Sequence, residues 1–458
     1  MTLLELRPYQ LAGAQWLVPR RHALLADDMG LGKSCQAIHA ADLIGAKDIL
    51  VICPANARVN WEREFERFSP MDRPCSVIFG MKDIVPPSGV VITSFEWAST
   101  NAQKLKAKTW DLLILDEAHY LKEKTAARTK AVYGRSAKFP GIAGKAARTW
   151  RLTGTPTPNK KASELWTHLY SCGIVTDSYW DFVFHFCTGF DAGFGFQIRG
   201  HKNEAELEAL LKPFMLRRLK EDVLTDLPPI RFEEVTVERS AVELDPDFLE
   251  QMQGKGPAGL ISELQIQEKI LYETLMSIKG NDCHEARLQA IEGMGRACST
   301  TTLRRWIGMA KLPSVLEVID AELASGSIDK IVIFAVHQSI IEAARKKLDK
   351  YHAVTLYGKT PPHKRQMNID RFMNDPACRV FVGNVQAAGI AITLTSACEV
   401  AFVEKSWVPS DNAQAAMRVH RFGQTRPVRI RSFALYKSVD EQVDAVLTRK
   451  MKELCRIL

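Results

Sequence analysis

No two of the ten cysteines stand as a CxxC pair, so neither a zinc-finger spacing nor a disulfide framework is expected. No uncharged run approaches the roughly 18 residues that a membrane-spanning helix requires. There is no short-period repeat and no low-complexity tail, and 27 Gly with 21 Pro is too few for collagen-like or long disordered tracts. The opening MTLLELRPYQ has no basic segment, and Glu5 interrupts its short apolar run, so no secretory leader is expected. Excess charge is also small. Lys plus Arg total 61 against 53 Asp plus Glu, a net of +8, which permits a polyanionic partner without requiring one.

What is present is an ordinary globular composition, 46% hydrophobic and 25% charged, over 458 residues, enough for two to four domains. The cysteines sit in apolar or small-residue surroundings, as reduced core thiols do. That predicts a reducing compartment: cytoplasm for a bacterial or viral source, nucleus for a eukaryotic one. Short apolar runs at 23–26, 49–53, 89–93, 112–115 and 150–152 alternate with helical patterns. A second set lies at 331–336, 353–357, 380–383, 400–403 and 429–435. Such runs read as strands of parallel sheets covered on both faces. The predicted class is α/β: two doubly wound lobes in tandem, 1–228 and 229–458, each with its ligand site at the carboxyl ends of the strands. Residues 160–222 and 240–325 read as helical insertions, 224–231 as an extended linker with a hinge at 227–230, and 438–458 as a final helix.

ALLADDMGLGKS (23–34) is the strongest local signal. A strand runs through glycines into a helix, an arrangement that aims backbone N–H groups and the helix N-terminus at phosphate oxygens. In such a loop Lys33 reaches the β and γ phosphates and Ser34 holds Mg²⁺. The strict pattern wants glycine at position 27, where this chain has Asp27. LLILDEAH (112–119) places two carboxylates at the end of a strand, where a metal-holding Asp116 and a water-orienting Glu117 belong. LTGTP (152–156) follows a further strand.

The ordered set resembles helicase superfamily 2, and within it the Swi/Snf-type DNA-translocating ATPases. It runs LRPYQ (6–10), DDMGLGKS (27–34), VICPANARVNWEREFERF (51–68), VITSFE (91–96), LDEAHYLK (115–122), LTGTP (152–156) and FMLRRLKEDVLTDLPP (214–229). It continues through LYGKTPPHKRQMNIDRF (356–372), QAAGIAITLTSA (386–397), EKSWVPSDNAQ (404–414) and RVHRFGQ (418–424). The resemblance covers nearly the whole chain and is similar in detail to the annealing-helicase-like enzymes. It departs at Glu404, usually Asp, at Val408, often Asn, and at Ala391, often Gly. No histone-reading module or zinc finger is found, as in minimal bacterial or viral members.

The resemblance implies RecA-like lobes, ATP and Mg²⁺ as cofactors, and DNA, double-stranded or forked, as partner to a monomeric motor. It implies a nucleotide set of Gln10, Asp28, Met29, Gly30, Leu31, Gly32, Lys33 and Ser34, with Gln10 reading adenine. It implies Ser34 and Asp116 at the metal, and Lys33, Asp116, Glu117 and the arginine fingers Arg418 and Arg421 in catalysis. Residues 418–431 hold five Arg and no acid, so some of these face elsewhere. DNA contacts are implied at Thr93, Thr155, Lys359, Arg365, Thr393, Thr395 and Trp407. Trp407 equally suits a core position, and Lys359 and Arg365 equally suit solvated loops. The expected activity is ATP-driven movement on double-stranded DNA. A strand-separating DNA or RNA helicase stays open, as does a nucleic-acid clamp with little ATPase activity.

Overall fold

A computed structural model describes residues 5–457, except 81, 137–138, 158–160, 192–195, 225–226, 241–256, 279–285, 288–289, 291–297, 389–391 and 422. Ala391 and part of the 240–325 insertion therefore lie outside the described residues. The chain divides into two compact units, Met1–Thr225 and Asp226–Ile457.

The first unit is built on a parallel sheet of seven strands: β1 (His22–Leu25), β2 (Ile49–Cys53), β3 (Cys75–Val77), β4 (Val90–Ser94), β5 (Trp110–Asp116), β6 (Ala146–Leu152) and β7 (Met215–Leu216). Their order is β7-β1-β6-β5-β2-β4-β3. ILVIC and VVITS are buried at every position, as strands covered on both faces must be. Helices α1 (Pro8–Leu17), α2 (Lys33–Leu43) and α3 (Arg58–Phe68) follow. Each quoted motif of this unit falls at or just beyond the carboxyl end of a strand, except the first, on α1, and the last, along β7.

Three elements differ from the sequence reading. β3 is a short edge strand of half-buried residues, with no apolar run to announce it. β7 is two residues long and exists because Met215 and Leu216 pair with Leu24 and Leu25. The stretch read as helical at 160–222 holds helices Trp166–Ser171, Tyr179–Phe186 and Glu204–Leu211, but also an antiparallel hairpin of Cys187–Asp191 with Phe196–His201.

The second unit has six parallel strands: β8 (Ile230–Val237), β9 (Ile331–Ala335), β10 (Val354–Leu356), β11 (Val380–Asn384), β12 (Glu399–Phe402) and β13 (Val428–Leu435). Their order is β8-β13-β12-β9-β11-β10. β8 corrects the linker reading. It pairs with β13 from Ile230 opposite Val428, while the carbonyl of Pro229 accepts the Val428 amide at 3.0 Å and that of Pro228 bonds His420 Nε2 at 2.8 Å. The prolines are thus fastened to this sheet, and a hinge at 227–230 is not supported. Helices Pro257–Ser277 and Cys298–Ser325 of the insertion pack with the final helix Val439–Ile457. All described cysteines are free thiols. Among the described residues no helix is long and apolar enough to cross a membrane.

Candidate nucleotide and DNA site

β1 ends at Leu25, and the loop that follows turns into α2 at Lys33. Gly32 caps α2 in the left-handed region, φ +73°, which a side chain enters only at a cost. A Cβ there would also strike the Gln10 amide, so Gln10 lies directly against the loop backbone. Its Nε2 donates to Leu31 O at 3.3 Å, and its Oε1 accepts the Arg7 amide at 2.9 Å. The Lys33 ammonium folds onto the loop carbonyls of Asp27 and Asp28 at 2.7 and 3.1 Å. Gly154 of LTGTP approaches the same point: a Cβ there would lie 2.7 Å from Met29 Cγ and 3.4 Å from Lys33 Nζ.

Asp27, the departure from the glycine pattern, has a definite job. It is fully buried, and the Arg218 guanidinium forks onto its carboxylate, Nε at 3.0 Å from Oδ1 and Nη2 on Oδ2. Gln36 Nε2 donates to the same Oδ2 at 3.1 Å, and Arg218 also donates to Gln36 Oε1 and to the Tyr9 carbonyl beside Gln10. Asp28 accepts the Lys220 amide at 2.9 Å and lies 3.4 Å from Arg217 Nη2. Burial nonetheless pushes its carboxyl up to about 6. The side chain of Asp28 therefore faces the 217–220 segment, and what it offers the phosphate loop is its backbone. Arg217 and Arg218 were visible in FMLRRLKEDV, but nothing in the sequence linked them to Asp27.

Asp116 closes β5. Its Oδ2 accepts the Trp61 indole N–H at 2.8 Å and its Oδ1 the Glu117 amide at 3.0 Å. Burial, then the neighbouring Glu117 charge, push its carboxyl up. A buried carboxylate beside a second one is relieved by a cation, so this end of the strand fits Mg²⁺. Trp61, on α3, is a positioning residue that the sequence reading missed. Trp61→Phe keeps the packing and removes the donor, so the Mg²⁺ needed for half-maximal ATP turnover should rise about tenfold or more; a Mg²⁺ titration of turnover checks this.

Glu117 sits in the left-handed region at φ +50°, ψ +50°, a strain of about 1–2 kcal/mol for a residue with a Cβ. His119 Nδ1 lies 3.2 Å from Glu117 Oε2 and 3.0 Å from Thr153 Oγ1, with Thr155 Oγ1 at 3.4 Å. The histidine of DEAH thus stands between the second carboxylate and LTGTP, a placement the spacing alone did not reveal. Lys33, Ser34, Asp116, Glu117 and Thr155 all lie at the carboxyl ends of strands β1, β5 and β6 of one sheet.

In the second unit, RVHRFGQ braces the ITLTSA segment. Arg421 Nη1 donates to Ile392 O at 2.9 Å and Thr393 Oγ1 at 3.1 Å. Gln424 Nε2 donates to Ala397 O at 2.7 Å and Val419 O at 3.2 Å, and Arg418 O accepts the Leu394 amide at 2.9 Å. Arg418 is buried and Arg421 half-buried.

The expected DNA contacts separate. Thr393 and Lys359 are exposed, and Thr155 and Thr395 half-buried. Thr93 is fully buried in β4, its hydroxyl without a hydrogen-bond partner among the described residues, so it presents nothing to a phosphate. Arg365 is a turn clamp: its guanidinium donates to the carbonyls of Gly358 and Thr360, each at 2.8 Å. Trp407 packs against the insertion core with the Arg304 guanidinium 4.8 Å from its ring centre, which favours the core reading over strand stacking. Glu404 takes the amides of Val336 and His337, each at 2.9 Å, and His337 Nδ1 at 2.7 Å. Its burial raises the carboxyl, but His337 and these amides outweigh that and hold it down at about 2. A depressed carboxyl stabilises the fold above its ordinary 4.5 and loses that stabilisation as pH falls toward 2. Glu404→Gln should therefore destabilise the second unit by about 3 kcal/mol near neutrality, with the gap from the parent closing below pH about 4.5 in urea melts.

A family model described as the SNF2-related domain matches residues 9–246, and the helicase conserved C-terminal domain matches residues 311–423. Among curated relatives, a SWI/SNF-related matrix-associated actin-dependent regulator of chromatin subfamily A-like protein 1 homolog of Caenorhabditis elegans is 30% identical, over 99% of this chain and 62% of its own length. The DNA annealing helicase and endonuclease ZRANB3 of Mus musculus is 29% identical, over 97% of this chain and 40% of its own. The chain thus spans less than two thirds of these relatives. A solved SWI2/SNF2 ATPase core of Sulfolobus solfataricus in complex with dsDNA aligns with all of this chain and 95% of that one, at 26% identity and a TM-score of 0.44.

Proposed function

Since the chain belongs to the SNF2-related family, we propose that it is an ATPase that couples hydrolysis to movement along double-stranded DNA. The observation that carries this reading is the gathering of the phosphate loop, the DEAH carboxylates and LTGTP at the carboxyl ends of strands β1, β5 and β6 of one sheet, where Gly154 meets the loop and His119 stands between the second carboxylate and LTGTP. In this reading Gln10 selects adenine, and the loop amides and Lys33 hold the phosphates. Ser34 and Asp116 hold Mg²⁺, which when bound neutralises phosphate charge. Glu117 orients the attacking water, and Arg421, with Arg418, offsets charge developing on the γ-phosphate, an effect of about 10³–10⁵ in rate. Coupling to DNA is assigned to Thr155, Lys359, Thr393 and Thr395. This reading takes no support from Thr93, Arg365 or Trp407.

The test is displacement of a third strand from a triplex on duplex DNA. The expected result is displacement that needs hydrolysable ATP. Duplex-stimulated hydrolysis with no displacement would remove translocation from the assignment. Duplex affinity should also fall steeply with salt, because phosphate contacts release counterions; titrations at several salt concentrations read the slope.

A further inference from the structure

Beside the start of β1 at Arg21 and His22, and along β6 from Thr149 to Arg151, the first unit carries a groove of about 890 Å³. Arg21, Lys124, Lys130, Arg135 and Arg151 line it, and among the described residues no Asp or Glu does. A second groove of about 800 Å³ adjoins it through Lys130, Arg135 and Pro140, adds Lys106 and Lys145, and again has no carboxylate among the described residues of its lining. Glu164 pairs with Lys122 at 2.7 Å, while Glu123, outside the lining, accepts the hydroxyl of the lining Thr125 at 3.0 Å.

Arg151 lies beneath the groove, 1% exposed, and among the described residues it has no carboxylate partner: its guanidinium donates to Tyr133 Oη at 3.0 Å, Ser171 Oγ at 2.8 Å and Thr149 O at 3.3 Å and lies 5.1 Å from the Tyr133 ring centre. A buried cation without a counter-ion is costly, and it leaves the groove floor electropositive. On one wall Trp166 and Tyr170 stack at 4.6 Å, with Tyr170 exposed. Cations that track phosphates beside aromatic faces that take bases are the pairing that single strands select, because unpaired bases stack and duplex bases cannot.

We propose that this groove binds a single nucleic-acid strand, phosphates on the exposed Lys130 and Arg135, bases on Tyr170 and Trp166. The lining holds none of the residues assigned to ATP, and the site extends the DNA reading above, on which it rests. The test uses the full chain, a labelled oligothymidylate of roughly 15 nucleotides and fluorescence anisotropy. Lys130→Glu/Arg135→Glu should weaken binding about tenfold or more and lower the salt slope by about 1.4. Tyr170→Ala should weaken it about fivefold or more. These exposed side chains make no hydrogen bond or ion pair among the described residues, so ATP turnover, basal and duplex-stimulated, should stay at the parent's level. A matched reversal on the second unit, Lys346→Glu/Lys347→Glu, should leave affinity within about twofold. Unchanged single-strand affinity in the groove variants, or an equal loss in the matched reversal, would overturn the proposal. Absence of duplex-stimulated turnover in the parent would instead sink the translocase reading, while the oligothymidylate comparison would still decide the groove.

Discussion

Glu117→Gln should lower ATP turnover by about 10²–10⁴-fold at nearly unchanged nucleotide affinity. Glutamine has the shape of glutamate, so the left-handed backbone at 117 and the packing of the strand end persist. What is lost is the carboxylate that orients water and that faces His119 Nδ1 at 3.2 Å. Lys33→Ala should behave differently. Its ammonium already rests on the loop carbonyls at 2.7 and 3.1 Å, where a phosphate is to be held, so its loss should weaken nucleotide binding as well as turnover. Fluorescent-nucleotide binding measured beside steady-state hydrolysis separates the two. Normal turnover in Glu117→Gln would remove its assigned role.

The second large effect runs against the sequence pattern. Asp27→Gly restores the strict phosphate-loop consensus, yet it should destabilise the first unit by about 3–5 kcal/mol. The reason is Arg218, which would keep its half-buried place against Gln36 and the Tyr9 carbonyl with no carboxylate to pair with. Three elements lose their common anchor at once: α1 beside Gln10, the phosphate loop, and the segment after β7. The first thermal transition should drop by on the order of 10 °C, with nucleotide affinity falling in parallel. A double-mutant cycle with Arg218→Ala should show the two losses to be strongly non-additive. Additive losses would mean that the pair does not hold the loop.

The pattern of success in the sequence follows the physics of each signal. Buried parallel strands announce themselves as uninterrupted apolar runs, so β2, β4, β5, β9 and β11 were readable almost to the residue. β3 and β7 were not, because short edge pieces are defined by their neighbours. β8 was hidden because IRFEEVTV alternates partly exposed charges, as an edge strand does, behind two prolines that suggested a free linker. At the site, the motifs gave the groups at the carboxyl ends of the strands, but not the groups that hold them. Trp61, His119 and Arg218 act through partners far away in sequence, and no spacing rule reaches across 55 or 191 positions. The DNA contacts were the weakest part, because a threonine or tryptophan in a motif looks the same whether it faces a phosphate or, like Thr93 and Trp407, the core.

The central claim is that this chain is a duplex-driven ATPase, and one measurement addresses it directly: steady-state ATP hydrolysis at a single salt concentration, without nucleic acid and then with single-stranded DNA, duplex DNA, forked DNA and RNA. The account predicts stimulation by duplex or forked DNA well above that by single strands or RNA, lost in Glu117→Gln. Stimulation chiefly by single strands or RNA, or no hydrolysis with any of them, would contradict it.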